Sequence, residues 1–373
     1  MNIGGSMVKK KVSSVYIHIP FCNNICSYCD FCKMYYNSNY VKNYLNSLKD
    51  EISKNYSNEI IKTIYIGGGT PSSLSIIELK ELFDILKIFK LDNDYEFTIE
   101  CNIEDITKDK IKLFKENKVN RISIGVESFN KKNLELLNRK EIQFDDVKDK
   151  IDLIKSIGIN NINIDFIYAI PNENMSILKS DLELFLKLDV PHISLYSLII
   201  EDNTKLKINN IKNIDENLDY EMYRYIENTL KLNNYNHYEV SNFSKTGYEA
   251  KHNLVYWNNE HYYGFGLGAS GYIDNIRYTN TRSLNKYLDG SYILEKEILT
   301  KKEEMQNEMI LGLRKIEGVN KNLFYQKYNI NIEDAFDIQN LITDKKLIDN
   351  GKYLKISDDY IYLSNDILID FID

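Results

Sequence analysis

Six short runs rich in β-branched residues recur along this chain: VYIHI from 15, TIYI from 63, EFTIE from 96, RISIG from 121, NINIDFI from 161 and HISLYSL from 192. Between them lie stretches such as IIELKELFDILKIF, whose apolar residues fall three and four apart, the spacing of a helix with one buried stripe. Strands separated by helices pair in parallel, because each crossover returns the chain to the same edge of the sheet. The strand runs read as nearly continuous apolar segments, which implies cover on both faces and an α/β partial (β/α)6 barrel. An open doubly wound sheet is the alternative that periodicity leaves standing. The expected division is a tail over 1–12, the barrel over 13–245, a connecting segment over 246–300 and a small α+β unit over 301–373.

With 373 residues, 43% of them hydrophobic, the chain can bury one large core and one smaller one. No apolar stretch approaches the roughly 18 residues that span a bilayer, and LYSLII at 195–200 reads as a buried strand. The net charge of −8 weighs against a broad nucleic-acid footprint. Lys9 to Lys11 read as a solvated tail, and MNIGGS before Met7 is set aside from the fold. Five cysteines, an odd count with no secretory apolar segment ahead of them, point to a reduced cytoplasmic protein; peripheral membrane contact stays open.

Cys22, Cys26 and Cys29, in CNNICSYC, follow the first strand. Three thiolates can hold three irons of a four-iron cluster and leave the fourth iron free for a small molecule. Structural zinc, a disulfide and ordinary buried thiols compete with that reading, but zinc favours a second cysteine pair and only Cys32 and Cys101 remain. The loops after the strands form the reactive edge of a βα barrel. There the chain places Gly67, Gly68, Gly69, Thr70 and Pro71 after the second strand, Glu100 at the end of the third, Glu127 after the fourth and Asp165 late in the fifth. One acidic residue at such an edge is an ordinary cap or ion-pair partner; several beside a cysteine set suggest a polar ligand. The glycines make either a tight turn into the next helix or a bare backbone whose amides meet a ligand's charged end. GGGTPSS lacks the trailing Gly-Lys-Ser/Thr of a phosphate loop, and GFGLGASG from Gly264 lacks the opening strand and helix of a dinucleotide site.

Taken together, YIHIPFCNNICSYCDF, IGGGTPSS, Glu100-Cys101-Asn102, RISIGVESF, NIDFIYAIP and HISLYSLIIEDNT resemble the radical S-adenosylmethionine family of oxygen-independent coproporphyrinogen III oxidases. YEVSNF and KHNLVYW resemble its haem-chaperone branch, and the likeness runs from about Val15 to the C-terminus. The resemblance implies a [4Fe-4S] cluster on Cys22, Cys26 and Cys29, with S-adenosylmethionine chelated at the open iron. It also implies a cofactor site lined by Tyr16, Tyr28, Gly68, Gly69, Thr70, Glu100, Glu127, Arg139 and Asp165. Carboxylates suit ribose hydroxyls and an amino group, and glycine amides suit the methionine end. Reductive chemistry at the sulfonium belongs to the cofactor, which the protein positions.

Several positions depart from the family pattern. Phe31 stands where the oxidase branch has a fourth cysteine, with Cys32 one later, which favours the chaperone branch. Glu127 replaces a common Gln, Ile103 a Pro, LNRKE an LGR-x-His, and Ser270 a His. The N-terminal extension that resembles a substrate clamp in the oxidases is not seen ahead of the barrel.

HNLVYW offers His252, Asn253, Tyr256 and Trp257 as haem contacts, since histidine is a standard axial ligand and aromatic rings suit a macrocycle. The alternative is core packing with a satisfied imidazole. His18, His192, His237 and His261 are weaker candidates. From Lys301 an amphipathic helix, two shorter helical patterns and LIDNGKYLKISDDYIYLS, a hairpin turning near Asn350-Gly351, suggest a winged-helix-like module. Residues 301–373 carry 10 Lys or Arg against 14 Asp or Glu, so DNA binding is not expected. The functional expectation is a haem carrier that delivers its cargo to acceptor apo-haemoproteins. Coproporphyrinogen III oxidation in porphyrin synthesis, and a related radical methyltransferase, are the alternatives.

Overall fold

The computed structural model describes residues 12–372; the Lys9 to Lys11 run and MNIGGS lie outside the described residues. All six expected strands form: β1 Ser14–Ile19, β2 Ile60–Gly68, β3 Lys90–Asn102, β4 Arg121–Glu127, β5 Asn161–Tyr168 and β6 His192–Ser197. They lie parallel and in sequence order, each paired with the next. A doubly wound sheet reverses its order at a switch point; this one does not, so its crossovers wind in one direction, as in a barrel. The barrel is partial. β7 Asn236–Glu239 and β8 Asn242–Ser244 extend the β6 edge antiparallel, and β9 Tyr263–Phe265 adds parallel to β1 at the opposite edge.

The expectation of continuous apolar strands is corrected, because the strands alternate with period two. Val15, Ile17, Ile19, Ile64, Ile66, Ile99, Ile122, Ile124, Ile162, Ile164 and Ile193 occupy one face and are at most 1% exposed. Tyr16, His18, Thr63, Tyr65, Glu96, Thr98, Glu100, Arg121, Ser123, Asn163, Asp165 and His192 hold the other positions of the same strands. The helices therefore cover the apolar face, and the concave face becomes a polar lumen.

Helix boundaries follow local chemistry. Ser75 accepts from Glu78 N and Glu78 reaches back to Ser75 N, a reciprocal cap on Ile76–Leu86 of the kind that contributes about 1 kcal/mol. Leu79, Leu82, Phe83 and Leu86 then form its buried stripe. The reading of LYSLII as a buried strand is corrected: β6 ends at Ser197, and Tyr196 and Ile199 are 43% and 67% exposed.

Segment 246–300 is more than a link. It supplies helix Lys251–Trp257, the edge strand β9, and an antiparallel sheet of Ser270–Ile273, Ile276–Asn280 and Ile293–Ile298. Helix Lys301–Gly312 opens the last unit, followed by Lys321–Tyr328 and two shorter helices. The hairpin Leu347–Asp349 and Tyr353–Ile356 turns at Asn350-Gly351, where Gly351 has φ +85°. It ends earlier than expected: Asp358–Tyr360 and Ser364–Leu368 are helical, which buries Ile361, Ile367 and Leu368. Among the described residues no helix is long and apolar enough to cross a membrane.

Candidate functional site

The loop after β1 carries the cysteines. Phe21–Cys22 pairs with Met34–Tyr35, folding the loop back on itself, and Cys29 N donates to Cys26 O at 3.4 Å. All five cysteines are free thiols. Burial pushes the Cys22 thiol up to about 11, and nearby Cys29 and Cys26 add to the rise, so the three sulfurs sit within electrostatic reach of one another. Thr70 Oγ1 donates to Cys22 Sγ at 3.6 Å, and Arg139 Nη1 to Cys26 Sγ at 3.7 Å. Donors aimed at sulfur suit thiolates that carry a cluster. Among the described residues no three or more His, Cys, Asp or Glu side chains converge as on a single ion. A four-iron cluster spreads its thiolates over separate irons, and three free thiols on one loop suit it in kind.

The glycine triplet bonds its own amides within the protein. Gly68 N donates to Glu100 Oε2 at 3.1 Å, Gly69 N to Ile19 O at 2.8 Å and Thr70 N to Phe21 O at 2.8 Å, so these amides are committed within the protein. What glycine supplies is close approach. At Gly68, with φ +113°, an added Cβ would stand 2.5 Å from the His18 ring, and at Gly67 it would stand 2.8 Å from the Glu100 carboxyl.

Arg139 ties the edge together. Its Nη1 donates to Asn102 Oδ1 at 3.1 Å and lies 3.4 Å from Glu127 Oε1, while Nη2 donates to Gly125 O at 2.6 Å. Tyr28 Oη donates to Glu127 Oε1 at 2.8 Å. Glu127 closes β4 at φ +63°, a conformation of the kind that costs a non-glycine residue about 1 kcal/mol or more. Burial outweighs the Arg139 charge and holds the Glu127 carboxyl above its usual range. Its Oε2 is buried with no partner, the mark of a group awaiting a donor.

Glu100 accepts from Tyr65 Oη at 2.7 Å, and Tyr65 in turn stacks on Tyr16 at 6.2 Å. Burial raises the Glu100 carboxyl, and burial followed by the Glu100 charge pushes Asp165 up to about 6. Three carboxyl groups at one mouth, beside the cysteine loop, suit a ligand bearing hydroxyls and positive charge. The structure thus gathers Tyr28, Thr70, Glu127 and Arg139 at the cysteines, and Tyr16, Gly68, Glu100 and Asp165 along the adjoining strands. Asn102 joins them, donating to Thr70 Oγ1 at 3.3 Å as well as accepting from Arg139; it stands in the Glu100-Cys101-Asn102 run, but its letters alone disclose no role.

HNLVYW divides. His252 is 1% exposed; its Nδ1 lies 2.8 Å from Thr63 Oγ1 and its Nε2 2.8 Å from Tyr256 Oη, with the ring stacked on Tyr65 at 5.2 Å. Glu96 accepts from both Lys251 N and His252 N, fastening this helix across the lumen. Burial drives the imidazole down to about 3. Both ring nitrogens of His252 are engaged within the protein. Tyr256, one turn on, shares the face of His252, its ring 5.0 Å away, whereas Trp257 lies 5.9 Å from the Arg314 guanidinium.

A partial barrel with three cysteines after its first strand defines a member of the radical SAM superfamily, whose family model matches residues 16–185; the HemN C-terminal domain model matches residues 299–365. Within that superfamily the chain belongs to the heme chaperone HemW family. It is 40% identical to the heme chaperone HemW of Lactococcus lactis subsp. lactis (strain IL1403), over 97% of this chain and 98% of that protein. It is 37% identical to that of Bacillus subtilis (strain 168), over 91% and 94%. Coproporphyrinogen III oxidase (HemN) from Escherichia coli, a radical SAM enzyme, shares the fold with a TM-score of 0.85 at 20% identity, covering 97% of this chain and 90% of that one.

Proposed function

We propose that this protein is a haem carrier that holds a [4Fe-4S] cluster on Cys22, Cys26 and Cys29, binds S-adenosylmethionine beside it, and passes haem to acceptor haemoproteins. The observation that carries the cofactor part is the Arg139 guanidinium, which spans from Cys26 Sγ to Asn102 and Glu127. The carrier part rests on the likeness to proteins named heme chaperone HemW. When bound, cluster and S-adenosylmethionine supply one-electron and sulfonium chemistry.

The chain's own residues do the positioning. Glu127 Oε2 offers an unused acceptor to a cationic amino group, held in place by Arg139 and Tyr28. Glu100 and Asp165 offer acceptors to ribose hydroxyls, with Tyr65 fixing the first and Asn163 the second at 2.9 Å. Tyr16, on the same face as Tyr65, gives an aromatic wall.

The test is anaerobic purification and cluster reconstitution, followed by three assays: haem binding, haem transfer to an apo-haemoprotein, and coproporphyrinogen III decarboxylation with S-adenosylmethionine. Binding and transfer without decarboxylation are expected. Decarboxylation with stoichiometric 5′-deoxyadenosine release would replace the carrier reading with the oxidase one.

A further inference from the structure

Asn163 stands opposite His192, and Asp165 opposite Ser194, in the parallel pairing of β5 with β6. Asn163 Nδ2 donates to Asp165 Oδ1 at 2.9 Å and to Ser123 Oγ at 2.7 Å. Its Oδ1 lies 2.5 Å from His192 Nδ1 and accepts from Ser194 Oγ at 3.1 Å. Two donated protons and two lone pairs are all that a carboxamide owns, so every position of Asn163 is filled. Reversing the amide would aim its oxygen at the Asp165 carboxylate and its protons at the groups that now donate. The orientation is fixed from both ends.

The same polarity continues away from the site. A carbonyl oxygen can only accept, so His192 carries its proton on Nδ1, and burial, which holds the ring neutral, leaves Nε2 as an acceptor. Tyr238 Oη, 2.7 Å from Nε2, therefore donates to it and accepts in turn from Ala250 N at 3.2 Å. Ala250 caps the N-terminus of helix Lys251–Trp257. Every hydrogen bond from that amide to Asp165, across β7, β6 and β5, thus runs with one sense. His192 is 0% exposed and Asn163 2%, so water cannot stand in for a lost partner, and breaking the chain leaves a buried polar group unpaired. At the far end Asp165 Oδ2 lies 3.5 Å from Ser123 Oγ, too long for a bond of ordinary strength.

Building on the S-adenosylmethionine reading, we propose that His192 and Tyr238 are positioning residues for that cofactor. Through Asn163 they hold Asp165 as a hydrogen-bond acceptor, leave Oδ2 for a ribose hydroxyl, and tie this carboxylate to the first turn of helix Lys251–Trp257. Neither side chain touches the ligand. A chain of the opposite sense would require Asp165 to donate, and a donor in that place competes with the hydroxyl it is there to receive.

NMR of the full chain with isotope-labelled histidine reads the tautomer of His192 without any ligand, the spectrum of His192→Asn assigning its signal. A proton on Nδ1 is expected, and a proton on Nε2 overturns the proposal. Equilibrium dialysis of the reconstituted protein then gives the S-adenosylmethionine affinity. His192→Gln, whose amide falls at the Nε2 position, should bind at least about fivefold more weakly, and Tyr238→Phe at least about twofold. His192→Asn, whose amide falls at the Nδ1 position, should recover affinity to within about twofold of wild type. In an Asp165→Asn background, His192→Gln should cost less than about twofold more, because its effect passes through Asp165. Wild-type affinity in folded His192→Gln, a His192→Asn protein as weak as His192→Gln, or an undiminished effect in the Asp165→Asn background each overturns the proposal. If His192→Gln does not fold, wild-type affinity in Tyr238→Phe overturns it instead. Absence of S-adenosylmethionine binding by wild type would sink the cofactor reading itself, on which the tautomer does not depend.

Discussion

Arg139 and Glu127 meet at 3.4 Å above the sheet, their side chains 11% and 7% exposed, and the same guanidinium donates to Cys26 Sγ at 3.7 Å. One side chain thus links the sulfur loop to a carboxylate that has an oxygen to spare. Replacing Arg139 with Met strands Glu127 without its counter-charge. A loss of about 3–5 kcal/mol of stability is expected for breaking a buried pair by removing one partner. Equilibrium dialysis should also show S-adenosylmethionine affinity reduced at least tenfold; wild-type affinity in a folded variant would refute the link.

Serine at Cys22, Cys26 or Cys29 should abolish the brown absorbance and iron content of the reconstituted protein. Serine at Cys32 or Cys101 should leave both in place. Burial keeps Cys101 at 4% exposure, and Cys32 packs beside Gly268 with Arg282 as its partner. Iron retained in any of the first three variants would break the ligand assignment.

His252→Ala removes two hydrogen bonds and a stacked ring from a site that is 1% exposed. Urea unfolding should show a loss of about 2–4 kcal/mol, as for a large side chain deleted from a packed interior. Unchanged stability would show that the ring is not packed into the interior as these contacts require.

Stability should fall on both sides of a plateau between about pH 4.5 and 6.5. His18 and His252 are held neutral by burial, down to about 4 and about 3, and His192 is lowered as well. Their contribution is present above the unfolded imidazole value of about 6.5 and is lost as pH falls through the folded values. Glu51, Glu173 and Glu239 are raised to about 7 by burial, so their contribution is present below about 4.5 and is lost as pH rises through 7. Between the two limits the slopes oppose. Each carboxyl accounts for up to about 3 kcal/mol, and denaturant midpoints across pH 3–9 give the curve; stability climbing steadily from pH 6 to 9 would contradict it.

The strands and the cysteine loop were legible because their signals are local: β-branched runs at regular intervals, and three thiols within eight residues. The alternation inside those runs is present in the letters too, since Tyr16 and His18 interrupt Val15, Ile17 and Ile19, but aromatic rings at the lumen positions mask it as continuous apolarity. At the glycine triplet the sequence reveals a missing Cβ but not which neighbours fill the space, which are His18 and Glu100. Arg139 and Asn102 are 37 residues apart and meet because helix Lys131–Leu136 returns the chain to the edge where β3 and β4 end side by side. HNLVYW could not be resolved from its letters, since an imidazole's role depends on what bonds its two nitrogens. β9, three residues long, is too short for any periodicity and joins the sheet through its register with Val15.

Glu96 accepts from two backbone amides of helix Lys251–Trp257, and His252 of that helix meets Thr63 and Tyr65. The helix is thereby anchored to β2 and β3 from the lumen side, so a change in its position is felt first at Tyr65, whose hydroxyl holds Glu100.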